Sequence, residues 1–344
     1  MGRRVLTVAS LVLFGCHDWS SFDRVPADQR DETTGVPSPA QPAPGSPSTT
    51  TTTNDPIVFA QPAGEHPTLL AADGEGIAFV TREGSVMACP HTGCDSIGRL
   101  ASAQRDVRAI AISGAWAAWT ARGDNVVRRT TRTPGGAIDQ VYEDDGLLTV
   151  GVTASKLYFS TEADFAFGMP ALRECTPGVD CDFSKGDVAS GVVTDLLIDG
   201  SDAFWIEDRN LFSCPLAACE ADTNKKTTLV EDVKAGVGIA ADFANVYFLG
   251  PEGGGELRAL PRAGGPVRTI ASNVGVDARF VVTKRFVWIA SASARTVSRV
   301  AIEGGAVTVV AHDLAEPIGI AAGGDGVYVA CAGDGRILRW KAEP

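Results

Sequence analysis

The sequence predicts an all-β protein, a seven-bladed β-propeller of four-stranded antiparallel blades whose last blade is closed by an N-terminal strand. Three observations carry this prediction. A hairpin-like segment recurs about every 40 residues along the chain. No stretch of that region sustains the period of about 3.6 residues that marks an amphipathic helix. The last copy of the repeat also lacks a fourth strand, which a segment near the other end can supply.

The repeat shows first in two stretches, "GELRALPRAGGPVRTIAS" at 255–272 and "TVSRVAIEGGAVTVVAHD" at 296–313, whose Gly-Gly pairs, Gly264-Gly265 and Gly304-Gly305, lie 40 residues apart. Carried along the chain, the spacing aligns seven segments of 14 residues without a gap, ending at Phe79, Trp119, Phe159, Trp205, Phe248, Trp288 and Val329. Each reads as an apolar strand, a polar or Gly-containing turn, and a second strand ending in a large hydrophobe, the pattern of a β-hairpin. After most of them come a third strand such as "ELRAL", a Gly-rich turn, and a fourth such as "VRTIA". Four antiparallel strands at this period make a propeller blade. The terminal aromatics are expected to pack between neighbouring blades. Small residues such as Ala71, Ala111, Gly151, Ala240 and Ala321 suit the crowded innermost strands.

After Val329 the chain has room for a third strand, "RILRW", before it ends at Pro344. Ile57 to Ala60, ahead of the first hairpin, stand at nearly the spacing from Phe79 that Thr308 to Ala311 keep from Val329. That segment is therefore expected to complete blade seven. The recurrent "IAADFANVYF…GELRALPRAGGPVRTIAS" resembles the bacterial extracytoplasmic propellers related to the NHL and YWTD repeat families. The resemblance covers residues 57–344; it implies the fold and leaves the function open, because the fold hosts hydrolases, lyases, receptors and scaffolds.

Ahead of the propeller the chain opens "MGRRVLTVASLVLFGC", two arginines and then an apolar run, the order of a secretory signal and too short to span a bilayer as a mature helix. Its end, "LFGC", resembles the lipobox of bacterial lipoproteins, which implies a signal peptide at 1–15 and a lipidated Cys16. A plain secreted protein cleaved nearby is the alternative. Residues 16–56, with "VPSPAQPAPGSPSTTTTTNDP", hold too few apolar side chains to offset ordering entropy and read as a disordered tether. The expected location is the bacterial cell envelope, outside the cytoplasmic membrane, with the membrane reached through the lipid only. Loss of residues 1–15 removes two Arg and no acid, taking the formal charge from −12 to −14. That balance argues against nucleic acid as a partner.

Apart from Cys16, the cysteines fall as Cys89/Cys94, Cys175/Cys181, Cys214/Cys219 and a lone Cys331. In an oxidising compartment the close pairs read as local disulfides across the turn between third and fourth strands. Zinc held by cysteines of two blades is the rival reading, disfavoured by the spacing. Cys331, at the end of an inner strand with no His near it in sequence, reads as a half-buried thiol.

The chain contains no Gly-x-Ser-x-Gly elbow, no His-Glu-x-x-His and no Walker-type phosphate loop. Of its four histidines, His17 lies in the tether, His91 in a disulfide-bracketed turn, and His66 and His312 between blades. The first residues of the seven segments are His66, Asp106, Gly146, Val192, Ala235, Gly275 and Glu316. Ring closure makes blades seven, one and two neighbours, so Glu316, His66 and Asp106 become the candidate ligand-binding group at one channel mouth. A His with two carboxylates could hold a divalent cation or orient a polar ligand; solvated loop residues are the plain alternative. No catalytic residue and no cofactor is predicted. The expected role is a monomeric binding or scaffold module for a protein or small-molecule ligand, and the alternative is a small-molecule hydrolase or lyase with a metal-assisted site at the mouth.

Overall fold

The structure is a computed structural model that describes residues 55–94, 97–162, 170–176, 187–219, 222–236, 238–250, 255–324 and 326–342. Cys16, the leader, the tether and Cys181 lie outside the described residues. Seven four-stranded sheets make the seven blades, and in six of them the strands follow one another outward in chain order, while the seventh takes its outermost strand from the N-terminal side. The innermost strands are Pro67–Ala72, Val107–Ser113, Leu147–Val152, Val193–Asp199, Ala240–Ala241, Arg279–Val282 and Pro317–Gly323. All pairings are antiparallel, as short hairpin connections require.

Blade seven is completed from the N-terminal side. Ile57–Ala60 pairs antiparallel with Arg336–Lys341, setting Ile57 opposite Arg339 and Ala60 opposite Ile337. Phe59 of the closing strand turns inward, with its ring 4.9 Å from that of Tyr328 in an edge-on contact. The sheet edge left by "RILRW" is thereby paired within the chain.

The core is distributed over the seven blade interfaces. Trp119 of blade two packs with Ala78, Val80, Val86, Ala88 and Leu100 of blade one. Phe79 meets Phe59, Tyr328 and Ile337 of blade seven. Phe159, Trp205, Phe248 and Trp288 are likewise fully buried, each in a cluster shared by two blades. Apolar side chains on both faces of a blade leave water this way, which is the main drive to close the ring.

Local chemistry sets the turns. In the first hairpins, Asp73 Oδ1 accepts the amides of Glu75 and Gly76 at 2.9 and 3.1 Å, and Asp242 Oδ1 accepts those of Ala244 and Asn245 at 2.8 and 2.6 Å. Thr153 and Thr283 do the same with a hydroxyl. The repeated Gly-Gly pairs are explained by backbone conformation. Gly264 and Gly265 have φ of 82° and 139°, Gly304 and Gly305 of 92° and 126°, a region side chains other than glycine disfavour. At the innermost strand of blade three, a Cβ on Gly151 would stand 2.7 Å from Ile198 Cγ1.

Two of the expected disulfides are formed, Cys89–Cys94 and Cys214–Cys219, with Cα atoms 5.2 and 6.1 Å apart. Cys175 is disulfide-bonded too. Cys331 is free and ends the second strand of its blade, and it corrects the expectation in one respect: it is fully buried, not half-buried. Burial first, and the nearby Asp334 carboxylate second, push its thiol up to about 12.

Candidate functional site

A propeller offers two channel mouths. At the first, the chain passes from the outer strand of one blade into the innermost strand of the next; at the second, the innermost strand turns back through the first hairpin.

The seven segment-initial residues all lie at the first mouth, and five of them share a backbone duty. The carbonyls of His66, Asp106, Gly146, Val192 and Glu316 accept the amides of Arg82, Arg122, Glu162, Asp208 and Ala332, which follow the second strand of the same blade. Asp106 and Glu316 take left-handed φ of 49° and 58°, as Gly146 and Gly275 do at the same place with 74° and 97°. A non-glycine residue there costs on the order of 1 kcal/mol. Because the position is fixed by its carbonyl, its side chains are chemically diverse.

Closure does bring His66 and Glu316 to one neighbourhood, joined by the dipeptide Arg82-Glu83. His66 Nδ1 stands 2.6 Å from Glu83 Oε1, and the His66 amide donates to Glu83 Oε2 at 2.8 Å. Arg82 Nη2 donates to both carboxylate oxygens of Glu316, at 3.1 and 3.0 Å. Burial alone would raise the Glu83 carboxyl, but the His66 amide and ring outweigh it and hold it at about 2. Asp106 instead faces Arg108 of the strand that follows it, at 3.0 Å. The three candidates are thus engaged by Glu83, Arg82 and Arg108 respectively. Among the described residues no group of three His, Cys, Asp or Glu side chains is placed to hold a metal ion.

Below this rim the channel holds a cavity of about 340 Å³ lined by residues of all seven innermost strands or the turns that lead into them. Its polar lining comes from a repeated irregularity. In blades one, two, three, four and seven the pairing of the innermost strand slips by one residue near its start, a β-bulge between Pro67 and Leu69, Val107 and Ala109, Leu147 and Val150, Val193 and Asp195, and Pro317 and Gly319. Bulges re-aim side chains. Arg108, Thr194 and Ile318, the extra residues of three blades, line the cavity together with Thr149, Asp195 and Arg279. Asp195 is buried, accepting the amides of Gly236 and Gly238 at 2.6 and 2.8 Å and the Thr194 hydroxyl at 2.9 Å. The sequence signal for these residues was an Arg inside an apolar innermost strand, in "VRAIAI" and "ARFVV".

The second mouth carries cavities of its own. A cavity of about 910 Å³ spans blades five to seven, lined among others by Asp242, Phe243, Thr283 and Lys284. Phe243, at the tip of a hairpin turn, is 95% exposed. His91, expected in a disulfide-bracketed turn, is there and reaches blade seven: its Nδ1 lies 2.7 Å from the Tyr328 hydroxyl, its ring stacks on that of Tyr328, and Nε2 meets the Asp73 carbonyl. His312 pairs with Asp313 at the surface, 2.7 Å away.

No protein-family model matches the sequence. No curated protein matches it either. Solved structures do match over the propeller. A catalytically inactive virginiamycin B lyase from Staphylococcus aureus, solved with quinupristin, aligns with a TM-score of 0.58 and 11% identity over 83% of this chain and 98% of that one. YCF48 bound to D1 peptide aligns at 0.58 and 12% over 84% and 95%. BamB from Moraxella catarrhalis aligns at 0.50 and 15% over 82% and 84%. At these identities the likeness is one of fold, and with the seven closed sheets it makes this chain a seven-bladed β-propeller.

Proposed function

We propose that the protein is a binding module of the bacterial cell envelope. In this reading a lipid on Cys16 holds it outside the cytoplasmic membrane, residues 16–56 act as an extended tether, and the monomeric propeller presents its first mouth to a protein or small-molecule partner. One observation carries the binding role: a bulge repeated in five of the seven blades puts Arg108 and Thr194 into the lining of a channel that mixes polar and apolar residues. Such a concave site with a few convergent polar groups is the usual form of a ligand pocket. Propellers of the same fold include a bacterial surface component of a secretion system, PorZ, and a peptide-bound protein, YCF48. His66, Asp106 and Glu316 form the polar rim a partner would meet first.

The test has two arms. Intact-mass analysis of membrane-extracted protein should show an acylated Cys16 as the first residue, and Cys16→Ser should move the protein to the soluble fraction. Cross-linking in the envelope should recover a partner from the wild type that His66→Ala or Glu316→Ala recovers less of. A soluble wild type with an intact Met1 would overturn the anchor, and equal recovery by the rim variants would overturn the mouth.

A further inference from the structure

We propose that the channel below the first mouth binds a small amphiphilic acid, its oxyanion held by Arg279 and Arg108 and its body lying against the apolar strands. This names the ligand class of the mouth and so rests on the reading of the propeller as a binding module.

The argument begins with Arg279. Around this mouth Arg82, Arg105, Arg122 and Arg209 each take a carboxylate, from Glu316, Asp124, Glu162 and Asp232. Arg279 opens the innermost strand of blade six and is exposed to the cavity it lines. Among the described residues its guanidinium has one acceptor, the carbonyl oxygen of Gly236. The Nε and Nη2 hydrogens form a free planar fork, the geometry that matches an oxyanion through two parallel hydrogen bonds.

Arg108 stands in blade two, across the channel. Its Nε and Nη2 engage the two oxygens of Asp106 at 3.0 Å each. That side-on contact leaves Nη1 and the outer hydrogen of Nη2 without a described acceptor. One guanidinium can serve two oxyanions in this way, since it carries five donors in a plane. The Thr149 and Thr194 residues add hydroxyls to the lining.

One carboxylate lines this space and another, Asp106, stands beside it, and neither removes the positive character of Arg279. Asp106 is spent on Arg108. Asp195 is buried and directed at the amides of Gly236 and Gly238. The lining also includes Leu69, Leu148, Leu196, Ile239 and Ile320, which are only partly buried and so keep some apolar surface on the channel. A hydrated inorganic anion would leave those side chains against water, whereas an acid with an alkyl or aryl body covers them. The volume of about 340 Å³ suits a small molecule of that kind.

The test uses the full-length protein and isothermal titration with phenylbutyrate, its uncharged partner phenylbutyramide, and inorganic phosphate. Phenylbutyrate is expected to bind, with the amide weaker by about tenfold or more, the loss of a charge-assisted contact. Phosphate is expected to bind more weakly than phenylbutyrate. Arg279→Gln should weaken the acid by a similar factor without changing the amide, and Arg279→Lys should restore part of it. Arg279 makes a single surface contact, so an unchanged melting temperature checks that the variant folds; Arg108→Gln, which should also weaken the acid, provides the second site. Equal binding of acid and amide, no binding of the acid at millimolar concentration, or an Arg279→Gln variant that binds as the wild type does would overturn the proposal. Acid binding with no envelope partner would fell the partner reading alone and leave this site standing; partner capture without acid binding would do the reverse.

Discussion

Arg82 and Glu316 lie 234 residues apart in sequence and join blade one to blade seven, with Nη2 donating to both carboxylate oxygens at 3.1 and 3.0 Å. Both side chains are about half exposed, so solvent screens the pair, and it contributes at most about 1 kcal/mol. The closure rests instead on the strand Ile57–Ala60 and the buried ring of Phe59.

Phe59→Ala is therefore expected to lower stability by about 3 kcal/mol, the usual cost of emptying an aromatic site, whereas Arg82→Ala should cost less than about 1 kcal/mol. Deleting Pro56 to Gln61 should cost more than either, because it exposes the edge of Arg336–Lys341. Deleting Ser48 to Thr53, of equal length in the expected tether, should leave the melting temperature unchanged. Calorimetry on the four variants decides the matter; equal melting for the two deletions would contradict closure.

Acid should loosen the first mouth. The Glu83 carboxyl is lowered from 4.5 to about 2 in the folded protein by the His66 amide and ring. A depressed carboxyl contributes stability above its unfolded value and loses it as pH falls through the folded one. The Glu83 contribution is thus complete above pH about 5 and gone near pH 2. Asp124, held at about 2 by Arg105 and Arg128, follows the same course. Melting temperature should fall across that window in the wild type, and less steeply in Glu83→Gln, with the remaining slope left to Asp124 and other acids. An identical slope would refute the assignment.

Two buried tryptophans should respond differently to the same change. Trp119 donates its indole N–H to Gln104 Oε1 at 2.9 Å. Trp340, packed 6.2 Å from Trp288 between their ring centres, has a buried indole N–H with no acceptor among the described residues. Trp119→Phe should cost about 1 kcal/mol more than Trp340→Phe, since it alone breaks a hydrogen bond, although Gln104 Oε1 keeps the Arg128 guanidinium as a second donor. Chemical denaturation of the two variants measures the difference, and a reversed order would show that packing dominates at both sites.

Cys331 should be inert in the native protein. Its thiol is buried and pushed up to about 12, so almost none is thiolate at neutral pH. Alkylation followed by peptide mapping should leave Cys331 unlabelled in buffer and label it in denaturant. The same non-reducing map should show Cys89 with Cys94 and Cys214 with Cys219. Labelling of native Cys331 would mean that its strand opens.

Among the described residues, much of the architecture was legible because a repeat writes its structure several times. The period of the hairpins placed seven blades, the missing strand at the end located the closing strand at Ile57–Ala60, and the close cysteine pairs marked two of the disulfides. These are local or periodic features, set by strand alternation, turn residues and short loops. The same alignment pointed to His66, Asp106 and Glu316, and ring closure does set the first and last around Arg82-Glu83.

What each of those side chains faces was decided by the tertiary structure. The sequence alone could not assign Glu83 to His66 or Arg82 to Glu316, because these contacts depend on how a turn of one blade leans across the mouth. Nor could it show that Arg108, Thr194 and Arg279, two to four places further along the segments, line the channel. In a strand the side chains alternate between two faces, so one extra residue reverses what points inward. The bulge that makes this reversal leaves no gap in the aligned segments. It exists only in the hydrogen-bond register between neighbouring strands.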